Sequence, residues 1–130
     1  MMAMSQAMGA AQTAGGSGSD ETVYELREYH LNEGKQDLIL ARFRGKEREI
    51  FARYGMVGVG YWVPTDDPLA GRTIVYMLKH KSRAAADASW NAFRADPEWV
   101  ALKAETEKDG AFVAKIESTF LRLTDFSPRP

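Results

Sequence analysis

The succession of sequence signals predicts an α+β fold of the order β-α-β-β-α-β, a four-stranded antiparallel sheet with its helices on one face. Three observations carry it. Four runs rich in β-branched and aromatic residues occupy 23–31, 56–63, 72–80 and 112–123. Two helical stretches, 35–54 and 82–108, follow the first and third of these runs. The chain has 130 residues, room for one domain of ordinary size. Right-handed crossovers then put the first and third strands in the middle of the sheet.

Each element has its own justification. Residues 1–21 are built mostly from Met, Ala, Gly, Ser, Gln and Thr and carry no charge before Asp20, so they read as a disordered N-terminal tail. A secretory signal needs a positive start and a longer apolar run, so the expected location is cytoplasmic. The alternatives are a vector-derived extension or the remnant of a longer export signal. Order begins at Thr22, and the first strand, Val23 to Leu31, ends at the turn signal Asn32-Glu33-Gly34. From Lys35 to Tyr54 the residues Ile39, Leu40, Phe43, Ile50, Phe51 and Tyr54 gather on one side of a single long helix that Gly55 stops. Met56 to Val63 is the second strand, Pro64 to Gly71 a loop, and Arg72 to His80 the third strand, antiparallel to the second. Ser82 caps a helix through Phe93, and Asp96-Pro97 starts a fresh helical piece that reaches about Lys108. After Asp109-Gly110, Phe112 to Leu123 forms the last strand.

Composition narrows the function. With 45% hydrophobic and 27% charged residues the chain can build a packed core. Seventeen basic against 18 acidic residues give a net charge of -1, which removes the long-range attraction behind nucleic-acid and anionic-membrane binding. No apolar run approaches the ~18 residues needed to span a bilayer. The absence of cysteine excludes disulfides, thiolate metal sites and a cysteine nucleophile. Only His30 and His80 supply imidazole, which argues against a multi-histidine metal centre. There is no nucleophile elbow, phosphate loop or zinc-protease helix. No metal and no cofactor are expected.

The second and third strands carry apolar residues on both sides: Val57, Val59 and Tyr61 against Met56 and Trp62, and Ile74, Tyr76 and Leu78 against Val75 and Met77. One layer of helices covers one side only. A second copy packed sheet to sheet covers the other, so the expected partner is the chain itself in a twofold homodimer with an enclosed barrel.

Four segments resemble the NIPSNAP family: 24–29 (YELREY), 59–62 (VGYW), 90–99 (WNAFRADPEW) and the end, 115–121 (KIESTFL) with 124–128 (TDFSP). The resemblance runs from Thr22 to Pro128 in the same order and spacing. At Lys46 the chain departs from it, since many relatives are expected to have histidine there. The resemblance implies a dimeric α+β barrel of ferredoxin-like subunits. It implies a superfamily that includes cofactor-independent monooxygenases, small isomerases and decarboxylases, and some haem enzymes. It implies no agreed reaction for the family itself.

Charged residues inside apolar elements are the candidates for a site. Arg27 shares a strand face with Val23, Glu25, Tyr29 and Leu31, and Glu47 falls among Phe43, Ile50 and Phe51 on the helix stripe. Neither is tolerated unpaired if buried. Glu25 and Glu117 are the expected partners of Arg27, either as a structural ion pair at the dimer seam or with Arg27 as an anion anchor at a pocket. Tyr29, Phe51, Trp62 and Tyr76 belong to an aromatic set suited to core or to an apolar cavity, Trp90 and Phe93 to core, and Trp99 to a pocket rim beside the helix break. His30 and His80 read as surface or strand-end histidines. The ligand-binding candidates are thus Arg27, Tyr29, Glu47, Phe51, Trp62, Tyr76 and Trp99, and no residue is assigned a catalytic role. Two readings stand. One is a homodimer binding a small apolar or anionic ligand between sheet and helices. The other is a cofactor-independent monooxygenase or isomerase, with Arg27 stabilising an enolate and Tyr29 or Tyr76 supplying a hydrogen bond or proton.

Overall fold

The computed structural model describes residues 21–130, and the N-terminal tail expected at 1–21 lies almost wholly outside them. Strand β1 (Val23–Leu31) leads into helix α1 (Gln36–Arg42), a π-helical turn (Phe43–Glu47) and helix α2 (Arg48–Arg53). Strands β2 (Val57–Trp62) and β3 (Thr73–His80) follow, then α3 (Arg83–Ala95), α4 (Pro97–Thr106) and β4 (Val113–Leu121). The strands form one antiparallel sheet in the order β2-β3-β1-β4, with β1 and β3 central. The architecture is the α+β, ferredoxin-like one that the order of elements predicts.

Register fixes which residues meet the helices. Tyr29 lies opposite Ile74 and Ile116, Arg27 opposite Tyr76 and Ser118, Glu25 opposite Leu78 and Phe120. These rows make up the helix-facing side. With Ile39, Phe43, Ile50, Phe51, Trp90 and Phe93 from the helices, they enclose the core, where Phe51 stacks on Tyr76 and meets Trp90 and Phe93 edge to face.

Two expectations need correction. The helix read as continuous from Lys35 to Tyr54 is broken: Gly45 sits at φ -92°, ψ -113°, outside helical space, within the π turn. Glycine is where a helix bends most cheaply, and the carbonyls freed there are recaptured, because Arg48 donates from Nε to the Phe43 carbonyl at 2.8 Å and from Nη2 to that of Arg44 at 3.2 Å. The second correction concerns β2, where strict alternation fails. An irregularity between Gly58 and Gly60 interrupts the pairing, so that Val57 and Trp62 pair with Lys79 and Val75 on the open side of the sheet while Tyr61 pairs with Tyr76 on the helix side. Met56 precedes the strand and is core.

The break between α3 and α4 falls where the sequence places it. Ser82 Oγ accepts from the Ala85 amide at 3.0 Å at the start of α3. Asp96 caps α4, accepting from the amides of Glu98 at 2.7 Å and Trp99 at 3.1 Å, with Pro97 in the first turn.

Candidate functional site

A polar seam runs through this apolar core, and its first half centres on Glu25. The side chain is 1% exposed. Its Oε1 accepts from His80 Nε2 at 2.8 Å and Trp90 Nε1 at 2.7 Å, and its Oε2 from Arg27 Nη1 at 2.7 Å and Ser118 Oγ at 2.6 Å. Burial pushes this carboxyl up, but the bonds from His80, Ser118, Trp90 and Arg27 together outweigh burial and hold it at about 2. It is an ionised, fully partnered group.

Arg27 carries the seam onward. Its guanidinium lies 4.0 Å from the centre of the Trp90 ring, Nε donates to the Tyr76 hydroxyl at 2.9 Å and Nη2 to that of Tyr29 at 3.3 Å. The two hydroxyls are 2.6 Å apart. Burial raises the Tyr29 phenol and Glu47 adds to this, while Arg27 pulls it down; the net direction is upward, so the hydroxyl keeps its proton at neutral pH.

The second half centres on Glu47, which the π turn carries inward. A π-helical turn brings residues five apart into register, and Arg42 Nε donates to Glu47 Oε1 at 2.9 Å. The same guanidinium gives Nη1 to Glu107 Oε2 at 2.7 Å and to Thr106 Oγ1 at 3.0 Å, and lies 4.9 Å from the Trp99 ring centre and 4.6 Å from that of Phe112. One arginine therefore serves two carboxylates. Burial raises Glu47, Arg42 lowers it, Glu107 raises it and Arg27 lowers it; the outcome is about 7.

Glu47 and Tyr29 meet at a cavity of about 360 Å³ beside the β4 edge of the sheet. Its apolar wall includes Phe93, Trp99, Val113 and Ile116. Its polar groups come from Tyr29, Arg42, Glu47 and Glu107, with Lys103 as a further cation. The Lys103 side chain is more than half exposed and marks the mouth, whereas Lys115 borders the cavity but turns its ammonium to Glu117 on the open sheet face. β4 is an edge strand whose helix-facing Ile116 is 49% exposed, and this incomplete cover is why the space exists.

Of the residues singled out from the sequence, Tyr29, Glu47 and Trp99 stand on this cavity. Arg27 and Tyr76 lie behind Tyr29 and reach it through hydrogen bonds, and Phe51 is core. Trp62 is on the open face of the sheet, 52% exposed. The ion pair of Arg27 is not at that open face: it points toward the helices, and its carboxylate is Glu25 alone. Glu117 faces the other way and bonds His30 at 2.9 Å, because the pairing sets it opposite Glu28 rather than Arg27. His80 ends its strand but is buried, 1% exposed, on the core side. Its two-residue spacing from Ile74, Tyr76 and Leu78 held that signal. Arg42 and Glu107 left none, since their roles arise from the π turn and the end of α4. Lys46, at the position of departure from the family pattern, is exposed and lies near Glu49 and Glu98.

Among the described residues, one group brings metal-capable atoms together: Glu28, His30 and Glu117, within 4.8 Å of one another. It sits on the open sheet face, away from the cavity, with His30 and Lys115 already paired to Glu117. His30 and His80 occupy opposite faces and share no site. No helix of the described residues is long and apolar enough to cross a membrane.

Comparison with known proteins agrees with this architecture. The chain is similar to an uncharacterised NIPSNAP domain protein from Burkholderia xenovorans, at 22% identity and a TM-score of 0.69 over 82% of this chain and 99% of that one. It is similar to a NIPSNAP family protein of unknown function from Agrobacterium tumefaciens, at 22% identity and 0.70 over 84% and 94%. It is less similar to a monooxygenase from Streptomyces coelicolor, from the gene ActVA-Orf6 and solved with nanaomycin D, at 14% identity and a TM-score of 0.58 over 83% and 92%. At these identities the likenesses speak for fold alone. No curated protein matches the chain. The family model for NIPSNAP matches residues 24–128, nearly the whole described chain, and the protein therefore belongs to the NIPSNAP family.

Proposed function

We propose that the protein binds a small, largely apolar organic molecule bearing an acidic group, in the cavity between β4 and helices α1, α3 and α4. The observation that carries this reading is the cavity itself: about 360 Å³, aromatic and aliphatic inside, with Lys103 at its mouth. A site of this kind takes a compact aryl or alkyl acid, its carbon skeleton on Trp99, Phe93 and Ile116 and its carboxylate toward Lys103. Arg27 contributes indirectly. Its Nη1, Nε and Nη2 are committed to Glu25, Tyr76 and Tyr29 and its face to Trp90, so it holds Tyr29 in place rather than gripping the ligand. Direct stabilisation of an enolate by Arg27 has no support in this arrangement.

Trp99 provides the test. Titration with benzoylformate, a small aryl acid, is expected to quench tryptophan emission saturably, and reversing Lys103 to Glu to weaken binding roughly tenfold. Quenching that never saturates, or that ignores the reversal, defeats the reading.

The working unit on this reading is a homodimer joined through the open sheet face. That face exposes Val57, Trp62 and Leu121, apolar side chains that sheet-to-sheet packing would remove from water. Analytical ultracentrifugation is expected to give twice the 14.5 kDa of one chain, and Trp62→Glu to shift it to one. A single-chain mass for the unmodified protein in dilute solution removes this part of the proposal.

A further inference from the structure

We propose that the cavity is also a proton-transfer site, where the Glu47 carboxylate removes a proton from the carbon next to a carbonyl of a small aryl keto acid, with the Tyr29 hydroxyl hydrogen-bonding the enolate oxygen. The inference rests on the binding reading above and adds a reaction to it. Its basis is an asymmetry of partners. Glu47 is 2% exposed on the cavity wall, Arg42 occupies its Oε1, and among the described residues its Oε2 accepts no hydrogen bond. A carboxylate oxygen that no protein donor engages and that opens on a cavity is well placed to accept a proton. Tyr29 stands on the same cavity with its hydroxyl backed by Tyr76 and the Arg27 guanidinium, an arrangement that favours negative charge building on an oxygen beside it.

The charged and titratable groups around Glu47 are Arg42 on α1, Glu107 and Lys103 at α4, Arg27 and Tyr29 on β1, Tyr76 on β3 and Tyr61 on β2. Their sum with burial leaves the carboxyl near neutrality, in agreement with a base that is ionised only in the upper half of the physiological range.

The step balances without an oxidant. Oε2 takes the proton, the C–H pair becomes the C=C bond and the carbonyl π pair moves onto oxygen, where Tyr29 donates a hydrogen bond. Exchange of the proton held on Glu47 with solvent, followed by its return to the same carbon, restores the ketone with solvent isotope in place. Return to a conjugated carbon shifts the double bond.

The probes are phenylpyruvate, which has an acidic methylene, and benzoylformate, which has none. In heavy water the full chain is expected to accelerate deuterium entry into the phenylpyruvate methylene, seen by proton NMR, with a rate that rises with pH through an inflection near 7. Glu47→Gln is expected to lose roughly a hundredfold of that rate and its inflection while still binding benzoylformate, and Glu47→Asp to recover part of it. Benzoylformate binding without exchange overturns the proton transfer and leaves the binding reading standing. Exchange that survives Glu47→Gln overturns the role of Glu47. Failure to bind either acid overturns both.

Discussion

Glu25 and Glu47 reach the core from its two sides, sheet and helices, each beside an arginine and each almost wholly buried, at 1% and 2% exposure, yet one carboxyl is held at about 2 and the other stands at about 7. Burial works upward on both, so it does not separate them. The donors do. Glu25 collects bonds from His80, Trp90, Arg27 and Ser118, on three strands and a helix. Glu47 has one arginine, which it shares with Glu107. The first is a lock between sheet and helices. The second is left incomplete, and the incompleteness faces a cavity.

The largest break in the comparison is Glu25→Gln. It leaves Arg27 buried without its counter-charge and turns one of the two acceptor oxygens into a donor, facing either Arg27 and Ser118 or His80 and Trp90, so a loss of about 3–5 kcal/mol in urea unfolding is expected. A loss below about 1 kcal/mol means the lock is not a lock.

The two carboxyls also bend the pH dependence of stability in opposite directions. Glu25 is below its ordinary 4.5 when folded, so its contribution is present above that value and disappears as pH falls toward 2. Glu47 is above its ordinary 4.5 when folded, so the folded chain binds the extra proton and stability falls as pH rises from about 4.5 to 7, by on the order of 3 kcal/mol. Glu47→Gln is expected to flatten this decline, leaving the variant at least as stable as the unaltered chain at pH 8, the reverse of Glu25→Gln. Urea midpoints measured at pH 5 and pH 8 decide it, and a parallel pH response in the two chains sinks the assignment.

Tyr76→Phe sharpens the comparison from the middle of the seam. It removes the hydroxyl bonded to Arg27 and Tyr29 and leaves both carboxylates paired, with an expected cost of about 1–2 kcal/mol at every pH. A pH-dependent cost would mean that the two halves are coupled through the tyrosines. The smallest effect is expected from Asp96→Ala, which lies outside the seam and loses the cap of α4, about 1 kcal/mol by thermal melting.

How far the seam was legible depends on the local geometry of each residue. Glu25, Arg27 and Tyr29 alternate along one strand, and period two places them on one face whatever surrounds them. Arg42 and Glu47 are five apart, about 140° around an ordinary α-helix, and no helical pattern pairs them. Gly45 is visible in the sequence, but that it opens a π turn is settled by the packing of Phe43 and Glu47 against the sheet. Trp62 misleads for a related reason: one irregularity in β2 moves every later side chain to the opposite face.

The sequence by itself determined the order of the elements, the capped break at Asp96-Pro97 and the central position of β1, because periodicity, caps and crossover handedness act over a few residues or follow general rules, and the resemblance of its segments pointed to the family. Tertiary structure alone decided which carboxylate is saturated and which is spare, and that the edge of β4 leaves a cavity beside the spare one. A carboxyl's proton affinity is a sum over neighbours from distant parts of the chain, and those neighbours exist only once the chain has folded.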